Sequence, residues 1–74
     1  MTLREGKVSK KYEVVGFNTG SFDVISRFYH LGIIEGVILK IVQKKPVIVI
    51  EVYHTRFALD ENLAGFLKVE ELTL

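Results

Sequence analysis

From residue 11 onward, apolar and polar positions alternate in segments of strand length, separated by short clusters of turn-forming residues. Residues 11–17 place Tyr12, Val14 and Val15 in a β-branched and aromatic run that predicts a first strand, with Gly16 available for a bend or bulge. Gly6 lies upstream in a polar turn. Asn18-Thr19-Gly20-Ser21 is a loop signal, and Ser21 is placed to cap a helix. Val24, Ile25, Phe28 and Leu31 then recur at helical spacing, with Asp23 near the positive end of the helix dipole and Gly32 suited to the C-cap. On this pattern Leu31 belongs to the core, while Arg27 and Tyr29 face outward or sit at its edge.

Gly36 marks a second turn, after which residues 37–42 read as a strand. Gln43-Lys44-Lys45-Pro46 interrupts it, and residues 47–53 resume strand character, so the two runs predict a hairpin. Ile48, Ile50 and Val52 share one face and make the better core set, which leaves Val47, Val49, Glu51 and Tyr53 on the other. An outward strip of Val47, Val49 and Tyr53 is unusual for a solvated strand and predicts a contact surface, together with the helix and the turn after it. The alternative, in which the helix covers this side and both faces are buried, stays open. Residues 56–59 read as another strand, Asp60 caps a turn containing Glu61, Asn62, Leu63 and Ala64, and Gly65 ends it. Residues 66–69 close the pattern, and residues 70–74 are expected to fray. About five short strands, one short α-helix and one helical turn predict a mainly β fold, a small closed or partly closed barrel that limits its exposed edges.

Seventy-four residues fit a single domain, 1–74, with a core from about residue 3 to 69. Nearly half the residues are apolar and there is one proline, a composition that supports a packed core. The absence of cysteine excludes disulfides and thiolate metal sites, and points to partners or a homo-oligomer for any stability beyond the core. Ten basic against nine acidic residues give a formal charge of +1, too little for strong general attraction to nucleic acid or anionic lipid. The longest apolar run, residues 47–50, cannot span a bilayer, and the charged start does not resemble a signal peptide, so the expected location is the cytoplasm.

Candidate chemistry is sparse. His30 and His54 lack the spacing of a metal site, and Glu70 with Glu71 reads as a solvated tail rather than a hard-cation site. Ser9, Ser21 and Ser26 lack a nucleophile elbow, and the isolated glycines form neither a phosphate loop nor a dinucleotide fingerprint. No catalytic residue, cofactor or metal site is assigned, and the chain is read as non-enzymatic. Lys7, Lys10 and Lys11 with nearby aromatics support an alternative, a small nucleic-acid-binding barrel, which Glu5 and Glu13 weaken.

Leu31-Gly32-Ile33-Ile34-Glu35-Gly36 resembles the signature of the FeoA family, in which a helix ends in Leu-Gly-Leu/Ile, passes a Pro-Gly and enters a strand. Gly6, Val14, Pro46, Ile50, Val52, Phe57-Ala58-Leu59, Ala64, Leu67 and Val69 are in register with it, so the similarity runs from about residue 3 to 69. Glu35 stands where the family usually has Pro, His54 where a Gly often turns the chain, and the hairpin around residues 43–46 is shorter than usual. The resemblance implies an SH3-like barrel and a cytoplasmic accessory of ferrous iron transport. The implied partner is the cytoplasmic part of a FeoB-type membrane transporter; the resemblance does not itself imply a metal site, and no direct membrane insertion is expected. A similar barrel forms the C-terminal domain of DtxR-type metal-dependent repressors, but no DNA-binding helices accompany it here. The residues expected to touch a partner are Leu31, Gly32, Ile33, Ile34, Glu35, Gly36, Val47, Val49 and Tyr53.

Overall fold

Period-two alternation organises the molecule. In the computed structural model, which describes residues 1–73, five strands each send alternate side chains to one core. They are β1 (Lys11–Phe17), β2 (Ile38–Gln43), β3 (Ile48–Val52), β4 (Thr55–Leu59) and β5 (Leu67–Glu71). Helix α1 (Phe22–His30) joins β1 to the turn before β2, and the short α2 (Glu61–Gly65) joins β4 to β5. All pairings are antiparallel, in the order β4-β3-β2-β1-β5. Tyr12, Val14, Leu39, Ile41, Ile48, Ile50, Val52, Leu59, Leu67 and Val69 point inward and are buried. With Phe28 of α1 and Ala64 of α2 they fill a small SH3-like barrel.

Two bulges shape the sheet. The β1–β5 register slips between Val14 and Gly16, where the sequence predicts a bend. One extra residue reverses the parity of everything beyond it. Tyr12 and Val14 face the core before the bulge, and Phe17 faces α1 after it, 5.6 Å from the Phe28 ring. A second slip between Ile41 and Gln43 absorbs Val42 in the β2–β3 hairpin.

Helix α1 starts as expected, with Ser21 Oγ accepting a bond from the Val24 N–H. Asp60 Oδ1 caps α2 at Leu63 N–H, 2.7 Å away. Leu31 departs from expectation, being 38% exposed rather than part of the core. Helix α1 ends at His30 and Leu31 is its C-cap, at the rim of the apolar face where the chain turns away through Gly32. The chain end also differs. Residues 70–71 belong to β5, pairing with Glu13 and Tyr12, and Leu72 N–H donates to Lys11 O at 3.0 Å. Backbone pairing orders a segment whose side chains alone suggest fraying; Leu74 lies outside the described residues. Near the start, Leu3 is fully buried in a 3-10 turn, Leu3–Glu5, held by Glu5 Oε1 accepting from Thr2 N–H at 2.7 Å. Gly6 follows it in a buried position, where a Cβ would overlap the Ile41 Cδ1 methyl and lie 3.2 Å from the Leu3 carbonyl oxygen.

Candidate contact surface

The turn from α1 to β2 is built by two successive reversals. At the first, Gly32 adopts φ +78°, which a residue with a Cβ tolerates poorly. Its N–H donates to Tyr29 O at 3.0 Å, and Ile33 N–H donates to Phe28 O at 2.9 Å, the paired bonds of a Schellman cap. That cap brings the residue after the glycine back against the last turn of the helix. Ile33 is accordingly fully buried, in the same core as Phe28, and belongs to the core rather than to a partner surface.

The second reversal covers residues 34–37. Val37 N–H donates to Ile34 O at 3.1 Å, and Gly36 has φ +92° in the third position, the arrangement of a type II turn. Glu35 occupies the second position, where proline is favoured in such turns. Gly36 N–H and Val37 O both bond to Val14 at 2.8 Å, so the turn is pinned to β1. Its tip faces solvent, with Leu31, Ile34, Glu35 and Gly36 all exposed. Tyr29 Oη donates to Glu35 Oε1 at 3.3 Å across the tip, and the Glu35 carboxylate raises the Tyr29 phenol above its ordinary pKa, with smaller contributions from desolvation and from that bond.

The nine residues expected at the surface do not form one patch. Val15 and Ile38 are exposed beside the pinned turn, and Ile38 is directly opposite Glu13. Lys40 pairs with Glu51, so two residues away along each strand Ile38 and Tyr53 come side by side. Tyr53, 76% exposed, therefore lies beside Ile38 on the outward face of the sheet, and the same β1–β2 register sets Val15 against Gly36 of the turn. Val47 is exposed too, but it lies six residues along the chain from Tyr53, roughly 20 Å at ~3.3 Å per strand residue. Val49 lies between them, pointing outward opposite Gln43 and Ala58 and half-buried. Ile38 and Val15 were not anticipated. The parity of β2 was available from Lys40, whose outward charge puts Ile38 on the same face, and alternation from the inward Tyr12 and Val14 sends Val15 outward as well.

Val47 instead lines a groove of about 540 Å³ with Pro46, Ile48 and Leu59, rimmed by Arg4, Lys45, Asp60 and Glu61. Lys44 is not free there, since its Nζ donates to the carbonyls of Gly6 and Arg4 at 2.7 and 2.8 Å. Lys7, Lys10 and Lys11 do not frame an aromatic platform. Tyr12 is fully buried with its hydroxyl accepting from Lys7 N–H at 2.7 Å, and Lys10 pairs with Glu71 at 3.7 Å. His30 is exposed at the end of α1 and His54 in the β3–β4 loop. Among the described residues no three His, Asp or Glu side chains converge as metal ligands, and no helix is long and apolar enough to cross a membrane.

Known structures share this architecture over nearly the whole chain. A crystal structure of an iron uptake regulatory protein, FeoA, superposes with a TM-score of 0.89 at 26% identity, covering 97% of this chain and 96% of that one. The zinc complex of Stenotrophomonas maltophilia FeoA, described as an SH3-domain protein and proposed as a ferrous iron transport activating factor, gives 0.81 at 28% identity over 95% and 89%. The FeoA-like protein from Clostridium acetobutylicum gives 0.88 at 25% identity over 100% and 88%. The manganese-activated repressor ScaR shares the fold alone, at 20% identity, with 35% of its length covered. No curated protein sequence is matched by the chain. The FeoA domain family model matches residues 1–71, and the chain belongs to the FeoA family.

Proposed function

We propose that the protein is a non-enzymatic accessory of ferrous iron transport in the cytoplasm, acting by contact with the cytoplasmic part of a FeoB-type membrane transporter. Membership of the FeoA family supports the link to ferrous iron transport. The observation that carries the contact reading is the pinned turn at residues 31–36. Its backbone bonds fix the turn against α1 and β1 with Leu31 and Ile34 in solvent, at the end of the sheet where Val15 and Ile38 are also exposed. Exposed apolar side chains fixed on one side of so small a barrel favour a partner that removes them from water. Leu31, Gly32, Ile34, Glu35, Gly36 and Tyr53 form the contact in this reading, Val15 and Ile38 are added to it, and Val47 and Val49 lie beyond its edge.

The test is a calorimetric titration of the cytoplasmic domain of a cognate FeoB-type transporter with this chain, with and without guanine nucleotide. Saturable binding is expected, and Ile34→Glu should weaken it at least ~10-fold by placing a charge within the apolar contact. Absence of binding in both nucleotide conditions would remove the transporter partnership while leaving the fold untouched.

A further inference from the structure

The two edges of the sheet are treated differently. At β5 the outer edge is covered, because Thr2 bridges to Lys68 and Val69 N–H donates to Met1 O at 2.9 Å. At β4 it is not. The β3–β4 hairpin closes through Tyr53 and His54 onto the Val52–Thr55 pair, and a two-residue loop makes its closing pair a hydrogen-bonded one. Alternation then gives Ile50–Phe57 and Ile48–Leu59 as the next bonded pairs, so Arg56 and Ala58 direct their N–H and C=O groups away from β3. None of these groups finds a partner among the described residues, and both side chains are exposed. Sheet edges are commonly protected by charged side chains, proline, a bulge or a covering segment, and of these β4 carries a single charge, Arg56. β4 reads Thr-Arg-Phe-Ala-Leu, and its register with β3 runs without a slip.

We propose that β4 pairs with β4 of a second copy of this chain, antiparallel about a two-fold axis through Phe57. Arg56 then faces the partner copy's Ala58, and the two equivalent pairs supply about four backbone hydrogen bonds. Inward and outward faces match across the junction, because the paired residues have the same parity. The charges match as well. Asp60 is still extended, at φ −73° and ψ 163°, and lies diagonally next to the opposing Arg56, within reach of a long side chain. Its Oδ1 caps α2 and its Oδ2 is free among the described residues, while Arg56 is held on the same outward face by Glu51 at 3.4 Å. An extended strand of another protein would satisfy the same backbone groups, but self-pairing also sets an acid, Asp60, diagonally beside each Arg56 from residues already in place.

A contact confined to one five-residue strand from each copy falls below the ~1,000 Å² of stable interfaces, so the dimer is a weak one, with Kd in the range of ~0.1–1 mM. Sedimentation equilibrium of the full chain from ~0.02 to ~2 mM, which brackets that range, should show the average mass moving from monomer towards dimer. Ala58→Pro removes an outward N–H and leaves the β3 ladder intact, so it should keep the monomer folded and reduce association at least ~10-fold. A chain that stays monomeric over the whole series, or a proline variant that associates as the parent does, would overturn the proposal. Amide exchange of the unmodified chain reads the same edge without a variant. Arg56 and Ala58 should exchange more slowly at high concentration, and rates independent of concentration would contradict the pairing. Slowing seen only on addition of the transporter domain would assign the edge to that partner and equally overturn it.

Discussion

Leu31 and Ile33 stand two residues apart, one exposed and the other fully buried, because the Schellman cap turns the chain between them. Their truncations should differ accordingly. Ile33→Ala removes a core side chain and should cost ~2–5 kcal/mol, whereas Leu31→Ala should cost less than ~1 kcal/mol. Urea titration of both variants checks this, and a larger loss at Leu31 would place that side chain in the core after all. Across the same turn, the Glu35 carboxylate favours the neutral Tyr29 phenol and so raises its pKa. A raised folded-state pKa means that the contact's contribution is present at neutral pH and is lost as pH rises through the Tyr29 transition. In an absorbance titration, Glu35→Gln should therefore move one tyrosine transition to lower pH. An unchanged titration curve would show that the two side chains do not meet in solution.

At the scale of elements, the hairpin loop between β3 and β4 shows what the chain accepts in place of glycine. Tyr53 and His54 have φ +50° and +70°, the double positive φ of a type I′ turn, where Asn-Gly is the favoured pair. His54→Gly should raise stability by ~1 kcal/mol, since relief of left-handed strain outweighs the added chain entropy; a loss in thermal unfolding would contradict that account. Val49→Lys tests the outward face of β3. The lysine stem can cover the half-buried position while its ammonium reaches water, so the cost should stay below ~1 kcal/mol in urea titration. Unfolding of the isolated chain would make Val49 part of the core. The strands were legible because Ile48, Ile50 and Val52 alternate with residues of the other face, and the caps because Ser21, Gly32 and Asp60 each do what their chemistry favours. The exit from α1 was less so: helical spacing continues to Leu31, and the one local signal that Ile33 turns inward is an apolar residue directly after the capping Gly32, whose contact with Phe28 accompanies such caps.

For the whole molecule, the order of elements and the barrel were readable from local signals, whereas the grouping of exposed residues was not. Periodicity puts Val47 and Tyr53 on the same face of one strand but carries no information on distance along it. The β2–β3 register, which sets Ile38 beside Tyr53, is fixed by pairing between strands. Residues 70–72 escaped for a related reason, since they are ordered through the backbone of β1. In the proposed function, the surface from the turn at residues 31–36 across Ile38 to Tyr53 meets the transporter. Amide resonances of the labelled chain, followed by NMR while the cytoplasmic domain of a cognate FeoB-type transporter is added, test this most directly. Shifts or broadening are expected at residues 31–36 and at Val15, Ile38 and Tyr53, with the groove at residues 44–48 unaffected. Perturbations centred on that groove, or none at saturating transporter domain, would contradict this reading.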